Sequence, residues 1–260
     1  MTKQDAALLD LITLKGKIAL VTGSTGGIGQ ATARMLAEAG AHVVISSRKQ
    51  AECERVVAEF KASGLSAEAR ACHIGRSEDI AAMQQHLNEA HGGLDILVNN
   101  AVLSPWRSID DTDVPLFDKA VEVNLKGNWY ISAAAVRLMR PRGGGSIVNV
   151  SSIAGWHPER MLSLYSTLKT ATIGMSRSFA LEYGASGVRV NTVSPGVILT
   201  KLADAFEGQA AERMINKTPL GRFGAPEEIA RTILFLCSPL SSYMTGADLV
   251  VDGGLSVSVI

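Results

Sequence analysis

Cysteine is scarce. Cys53, Cys72 and Cys237 are the only three in 260 residues. Three scattered thiols cannot build a disulfide framework, and no cysteine or histidine pair has the spacing of a metal site, so no metal is expected. Reduced thiols fit a reducing compartment, and a cytoplasmic location is expected. Charge of one sign is missing too. Basic and acidic residues number 25 each, for a net charge of zero. That balance excludes a dedicated nucleic-acid binder, which needs a basic surplus to neutralise phosphates. No apolar stretch approaches the ~20 residues of a membrane helix. The start, Met1 to Leu14, carries Asp5 and Asp10 and no apolar run ending in a small-residue cleavage site. A secretory signal is therefore not expected.

Hydrophobic residues are plentiful instead, at 47%, enough for a large core and too many for a disordered chain. They come in short β-branched runs: Lys17–Thr22, His42–Ser46, Asp95–Asn99, Ser146–Val150, Val188–Val193 and Asp248–Asp252. Continuous rather than alternating apolar runs suit strands covered on both faces. A weaker strand is expected around Ala67–His73. Helical spacing fills the intervals at Gly29–Ala39, Gln50–Ser63, Ser77–His91, Pro115–Met139, Leu164–Tyr183 and Pro226–Cys237. This alternation predicts one α/β domain over residues 14–260, a doubly wound parallel sheet with helices on both faces. Residues 1–13 are expected to form a loosely held arm.

The first strand runs into Thr22-Gly23-Ser24-Thr25-Gly26-Gly27-Ile28-Gly29 and then a helix. Glycines at 23, 27 and 29 permit a tight turn and close approach of a pyrophosphate to the backbone. The helix start offers free N–H groups to phosphate. At the end of the second strand an acid would read the ribose hydroxyls of NAD. Ser46-Ser47-Arg48-Lys49 has none, and Ser47 with Arg48 can grip the extra phosphate of NADP(H). NAD(H) stays open as a weaker or dual cofactor.

Asn99-Asn100-Ala101, Asn124, Ser151-Ser152 and Tyr165-Ser166-Thr167-Leu168-Lys169 follow in order. Tyr165 and Lys169, four apart, share one helix face. Together with Pro195-Gly196 and Thr200, these motifs resemble the short-chain dehydrogenase/reductase family from Leu14 to about Gly254. The runs at 41–50, 72–75 and 92–98 look most like its NADPH-dependent carbonyl/retinal reductases and their bacterial relatives.

The resemblance implies a Rossmann-like fold and a tetrad of Asn124, Ser152, Tyr165 and Lys169. Tyr165 is implied as general acid, and Lys169 as the cation that lowers its phenol pKa and bonds the nicotinamide ribose. Ser152 would stabilise charge on the substrate oxygen, and Asn124 would hold a relay water. Ser151 reads as a strand-end hydroxyl without a catalytic role. Cofactor contacts are implied for Gly23, Ser24, Gly27, Ile28, Gly29, Ser47, Arg48, Asn100, Ala101, Tyr165, Lys169, Pro195, Gly196, Ile198 and Thr200. Gly26 stands where many NADP-using members carry a basic residue, and Val102 replaces a usual glycine. Leu103, Trp106, Trp156, Met161, Leu162, Leu202, Phe206 and Met214 suggest an apolar pocket after the strand ends.

The implied activity is hydride transfer between NADP(H) and a small-molecule carbonyl or secondary alcohol. Two alternatives remain: a 3-oxoacyl-thioester reductase, and a cofactor-binding sensor or scaffold without turnover. A homotetramer is implied, built through the helices near Pro115–Met139 and Leu164–Tyr183.

Overall fold

A computed structural model describes residues 10–200 and 208–258. Residues 1–9 of the expected arm, and Leu202 and Phe206 of the expected pocket, lie outside the described residues. Seven strands form one sheet in the order β3-β2-β1-β4-β5-β6-β7, every pair parallel. They are β1 (Ile18–Thr22), β2 (His42–Ser46), β3 (Ala67–Ala69), β4 (Ile96–Asn99), β5 (Gly145–Val150), β6 (Val188–Pro195) and β7 (Asp248–Val251). The helices are α1 (Gly27–Glu38), α2 (Gln50–Ala62), α3 (Ser77–His91), α4 (Val114–Val121), α5 (Asn128–Met139), α6 (Ser163–Tyr183), α7 (Gln209–Lys217) and α8 (Pro226–Cys237).

Two apolar layers sandwich the sheet. Ala19, Val21, Val43 and Ile45 point to one side and pack with Leu36, Phe60 and Ile233 of α1, α2 and α8. Leu20, Val44, Leu97 and Ile147 point to the other and meet Met83, Ile131, Met139 and Phe179 of α3, α5 and α6. Alternate residues of each strand feed opposite cores, which is why the runs read as continuously apolar. Strand order reverses between β1 and β4. That switch point opens a crevice at the strand ends where ligands of such sheets bind.

Three expectations are corrected. The segment Pro115–Met139 is not one helix: α4 and α5 are separated by a π-helical turn over Glu122–Gly127. Such turns recur at functional sites, and this one contains Asn124. β3 is only three residues long, because Glu68 and Arg70 suit an edge rather than a buried strand. Helix α7 had no counterpart in the apolar periodicity.

Candidate active site

The turn after β1 is held by β4. Gly23 has φ 65°, and a Cβ there would sit 2.9 Å from the Cα of Ala101, so only glycine fits. Asn100 Nδ2 donates to the carbonyls of Thr22 (3.1 Å) and Gly23 (3.0 Å). Thr22 Oγ1 accepts the backbone N–H groups of Asn100 (3.0 Å) and Ala101 (3.1 Å). Asn100 therefore acts through the turn it locks. Thr22 was not among the expected site residues, although a hydroxyl ending an apolar strand was the available signal. Ser24 is fully buried, and its Oγ accepts the Ser46 N–H at 2.8 Å, pinning the turn to β2. Its side chain does not face the crevice opening.

Helix α1 begins just beyond, and no side chain caps its first turn. Its N-terminal N–H groups and the positive end of its dipole are left for an anion. Ile28 is half-buried there. A Cβ on Gly27 would lie 3.1 Å from the Thr200 methyl, so Thr200 borders the same cradle. These features fit a dinucleotide pyrophosphate. At the end of β2, Ser47 is half-buried and receives the Cys53 thiol, while Arg48 is exposed. Pro195 closes β6, the Gly196 N–H bonds the Val251 carbonyl, and buried Ile198 bridges to Gly224.

On the other side of the switch point, β5 ends at Val150 and α6 rises beside it. Tyr165 and Lys169 occupy one face of α6, both buried. Lys169 Nζ donates to the Val150 carbonyl at 2.6 Å and lies 5.5 Å from the Tyr165 ring centroid. Ser152 faces the Tyr165 phenol, whose pKa it lowers, and its Oγ accepts the Ala154 N–H at 3.1 Å. Ser151 is turned inward, donating to the Lys169 carbonyl at 2.9 Å.

Burial pushes the Lys169 ammonium down to about 8. Burial raises the Tyr165 phenol, partly offset by the neighbouring Ser152 hydroxyl. The Asn124 side chain is engaged with the loop after β4. Its Oδ1 accepts from the Leu103 N–H (2.8 Å) and its Nδ2 donates to the Leu103 carbonyl (2.7 Å). That side chain is committed to pinning the loop after β4. Its backbone carbonyl takes the Asn128 amide at 2.8 Å.

Two loops frame the tetrad. The Arg107 N–H donates to the Met161 carbonyl at 2.8 Å, joining the loop after β4 to the one before α6. Met161 has φ 67°, the one non-glycine residue with positive φ among the described residues, four positions before Tyr165. Trp106 and Trp156 are exposed beside these loops. The Trp156 indole N–H donates to Asp248 Oδ2 at 2.7 Å. Leu103 and Leu162 are half-buried on the same side.

Residues 23–256 match the family model described as enoyl-(acyl carrier protein) reductase. The chain belongs to the short-chain dehydrogenase/reductase family. Dehydrogenase/reductase SDR family member 4 of Bos taurus is 46% identical over 244 residues, covering 93% of this chain and 88% of that protein. The Oryctolagus cuniculus protein of the same name is 44% identical, covering 93% and 94%. A gluconate 5-dehydrogenase from Burkholderia cenocepacia, solved with NADP and tartrate, superposes with TM-score 0.93. It shares 30% identity, with 96% of this chain and 99% of that chain covered. A 7α-hydroxysteroid dehydrogenase solved with NADH and 7-oxo glycochenodeoxycholic acid gives 0.91 at 33% identity, covering 98% of each chain.

As a short-chain dehydrogenase/reductase, the chain is an oxidoreductase. Its fold gathers Gly23, Gly27, Gly29, Asn100, Ala101 and Thr200 around one turn. Ser152, Tyr165 and Lys169 gather at the end of β5. Asn124 lies on the π-helical turn, which packs against α6, and its side chain holds the Leu103 loop.

Proposed function

We propose that this protein transfers a hydride between NADP(H) and a carbonyl or secondary alcohol. The observation carrying the proposal is the meeting of Ser152, Tyr165 and Lys169 beside the β5 end: a phenol beside a hydroxyl, with a buried ammonium 5.5 Å from its ring centroid. When bound, the nicotinamide supplies or accepts the hydride at the substrate carbon. Tyr165 donates the phenolic proton to the carbonyl oxygen in reduction and withdraws it in oxidation. Ser152 orients that oxygen and stabilises its developing charge. Lys169 is held by the Val150 carbonyl, which engages one of its three donors. Its remaining donors serve the ribose, and its charge eases proton transfer at the phenol. Asn124 positions the Leu103 loop against the π-helical turn.

When bound, the pyrophosphate would be held by the first turn of α1, with Gly23, Gly27, Ile28 and Gly29 beside it. Asn100 holds that turn in shape, and Ala101, Ile198 and Thr200 border it. Ser47 and Arg48 read the phosphate that distinguishes NADPH. The exposed guanidinium at the end of β2 and the lack of an acid there support the NADP preference. The exposed apolar side chains Val114, Phe117, Trp129, Tyr130 and Leu181 on α4, α5 and α6 support a homotetramer built through those helices.

The test is a substrate panel with both cofactors: aryl and alkyl ketones, hydroxysteroids, sugar acids and acetoacetyl thioesters. NADPH-linked ketone reduction is expected. Faster turnover of the thioesters would transfer the assignment to 3-oxoacyl-thioester reduction. Tight NADPH binding with no turnover on any member would leave a cofactor-binding sensor.

A further inference from the structure

At the start of β2, far from the tetrad, three imidazoles converge on one carboxylate. His91 Nε2 lies 2.8 Å and His86 Nε2 2.9 Å from Glu68 Oε1. His42 Nε2 lies 3.9 Å from Glu68 Oε2. The His42 and His91 rings are 5.0 Å apart between centroids, and those of His86 and His91 are 5.9 Å apart. His42, Glu68 and His91 each offer a ligand atom within 4.8 Å of the others. We propose that His42, Glu68 and His91 form a site for a divalent transition cation of the zinc class, with His86 holding the carboxylate.

The placement follows from register. Val43 pairs with Ala67 and Val44 with Glu68. His42 and Val44 share one face of β2, so His42 and Glu68 are diagonal neighbours on it. Val44 packs against Met83 and Leu87 of α3, and His86 and His91 come from that same helix. None of this is visible in spacing along the chain.

The state of His42 points to a ligand. Its Nδ1 is 2.7 Å from Ser66 Oγ. Its Nε2 is buried and has no hydrogen-bond partner. A buried polar nitrogen without a partner is costly. A second nitrogen fixed by a hydroxyl while the first faces inward is how ligating imidazoles are oriented. Around zinc, bond lengths near 2.0–2.2 Å place tetrahedral ligand atoms about 3.3 Å apart. His42 Nε2 lies 3.9 Å from Oε2, and the three ligand atoms lie within 4.8 Å of one another, so modest side-chain shifts bring them to that spacing. Two nitrogens and one carboxylate oxygen suit zinc or cobalt rather than calcium or magnesium, which prefer all-oxygen shells. Binding requires a lone pair on His91 Nε2, so its proton passes to Nδ1 through solvent. Glu68 turns Oε2 to the metal and keeps Oε1 for His86.

The role is structural. β3 is a three-residue edge strand, and the cation would clip it to β2 and to the end of α3. Roughly 13 Å of β2 separates His42 from the cofactor end of that strand. Loss of the cation therefore lowers stability without changing turnover per folded molecule.

The experiment uses untagged protein stripped with a chelator and titrated with Co²⁺. Visible ligand-field bands saturating at one equivalent, displaced by Zn²⁺, are expected, together with a rise in Tm on Zn²⁺ addition. His91→Gln and Glu68→Gln should each weaken Co²⁺ binding at least about tenfold. Loss of a direct ligand should cost no less than loss of an outer partner. His157→Gln, in an exposed loop, should leave it unchanged. NADPH-linked turnover and circular dichroism report whether each variant is folded, and His42→Ala gives a third reading if one is not. Absence of the bands, or bands unchanged in the folded variants, overturns the site.

Discussion

Just before β4, Asp95 is buried and every side of its carboxylate is met. It accepts the Ile18 N–H at 2.9 Å, Arg142 through Nε at 3.2 Å and Nη2 at 2.8 Å, and Lys17 at 3.4 Å. At the opposite end of the strands Lys169 is equally buried, yet it has one carbonyl partner. Asn128 Oδ1 and Ser166 Oγ near it have none. Both charges are buried, so the difference lies in pairing. A buried charge that is fully hydrogen-bonded has much of its desolvation cost offset; one left short of partners costs stability. Asp95 is fully paired at the strand starts, whereas Lys169 is left short of partners at the strand ends, where a ligand is to complete it.

The largest test of that contrast is Tyr165→Phe. It removes the proton donor from the poorly paired end, and turnover should fall about 10²–10⁴-fold, the range of general acid catalysis. NADPH binding, followed by fluorescence titration, should persist. Near-wild-type turnover would remove Tyr165 from the mechanism.

Asp95→Ala attacks the paired end. Arg142 and Lys17 lose their partner and the Ile18 N–H its acceptor, so urea denaturation at pH 7 should show a loss of about 3 kcal/mol. Turnover per folded molecule should hold. A large loss of kcat with unchanged stability would invert the comparison.

Arg48→Ala comes next. Removing a charge-assisted phosphate contact costs about 1.5–3 kcal/mol, roughly ten- to a hundredfold in NADPH affinity. NADH has no such phosphate and should bind nearly unchanged. Equal weakening of both cofactors would make Arg48 structural.

The gentlest effect per pH unit is a slope whose sign separates activity from stability. Lys169 titrates near 8 when folded, against 10.5 as its ordinary value. Below pH 8 it is charged in both folded and unfolded chains. Between about 8 and 10.5 the unfolded chain binds the extra proton, so stability rises with pH, by about 3 kcal/mol across the window. The kcat/KM for NADPH, which reports the free enzyme, should fall over the same rise as the charge is lost. Lys169→Met should abolish the Lys169 stability slope. A profile that climbs from pH 8 to 9 would show that the charge of Lys169 is not what the cofactor uses.

The legible parts of this molecule are those written in local pattern. β2, α3 and α8 lie on the residues expected, because an apolar run or helical spacing marked them out. Tyr165 and Lys169 meet as their four-residue interval requires. Asp113 caps α4 by accepting the Leu116 N–H at 2.9 Å. The π-helical turn has no such mark; it arises from a shift in hydrogen bonding beneath Asn124. α7, with the sequence QAAERMINK, is amphipathic, but at nine residues and polar on balance it does not stand out beside the longer, more apolar helices. The inward-turned Ser24 and the tethered Asn124 could not be read, since both depend on partners distant in sequence, Ser46 and Leu103. The histidine cluster likewise exists only once β2, β3 and α3 are assembled.

The bonds from Asn100 to the carbonyls of Thr22 and Gly23 also impose a timetable. The glycine turn leaves the ribosome 77 residues ahead of the side chain that fixes it. At about 5–20 residues per second, that is roughly 4 to 15 s of synthesis. For that interval the nascent chain carries the glycines of a nucleotide cradle without its shape. The Trp156–Asp248 bond spans a further 92 residues, so the wall beside the tetrad closes only as the last strand arrives. A half-made chain is thereby kept from binding cofactor before it can use it.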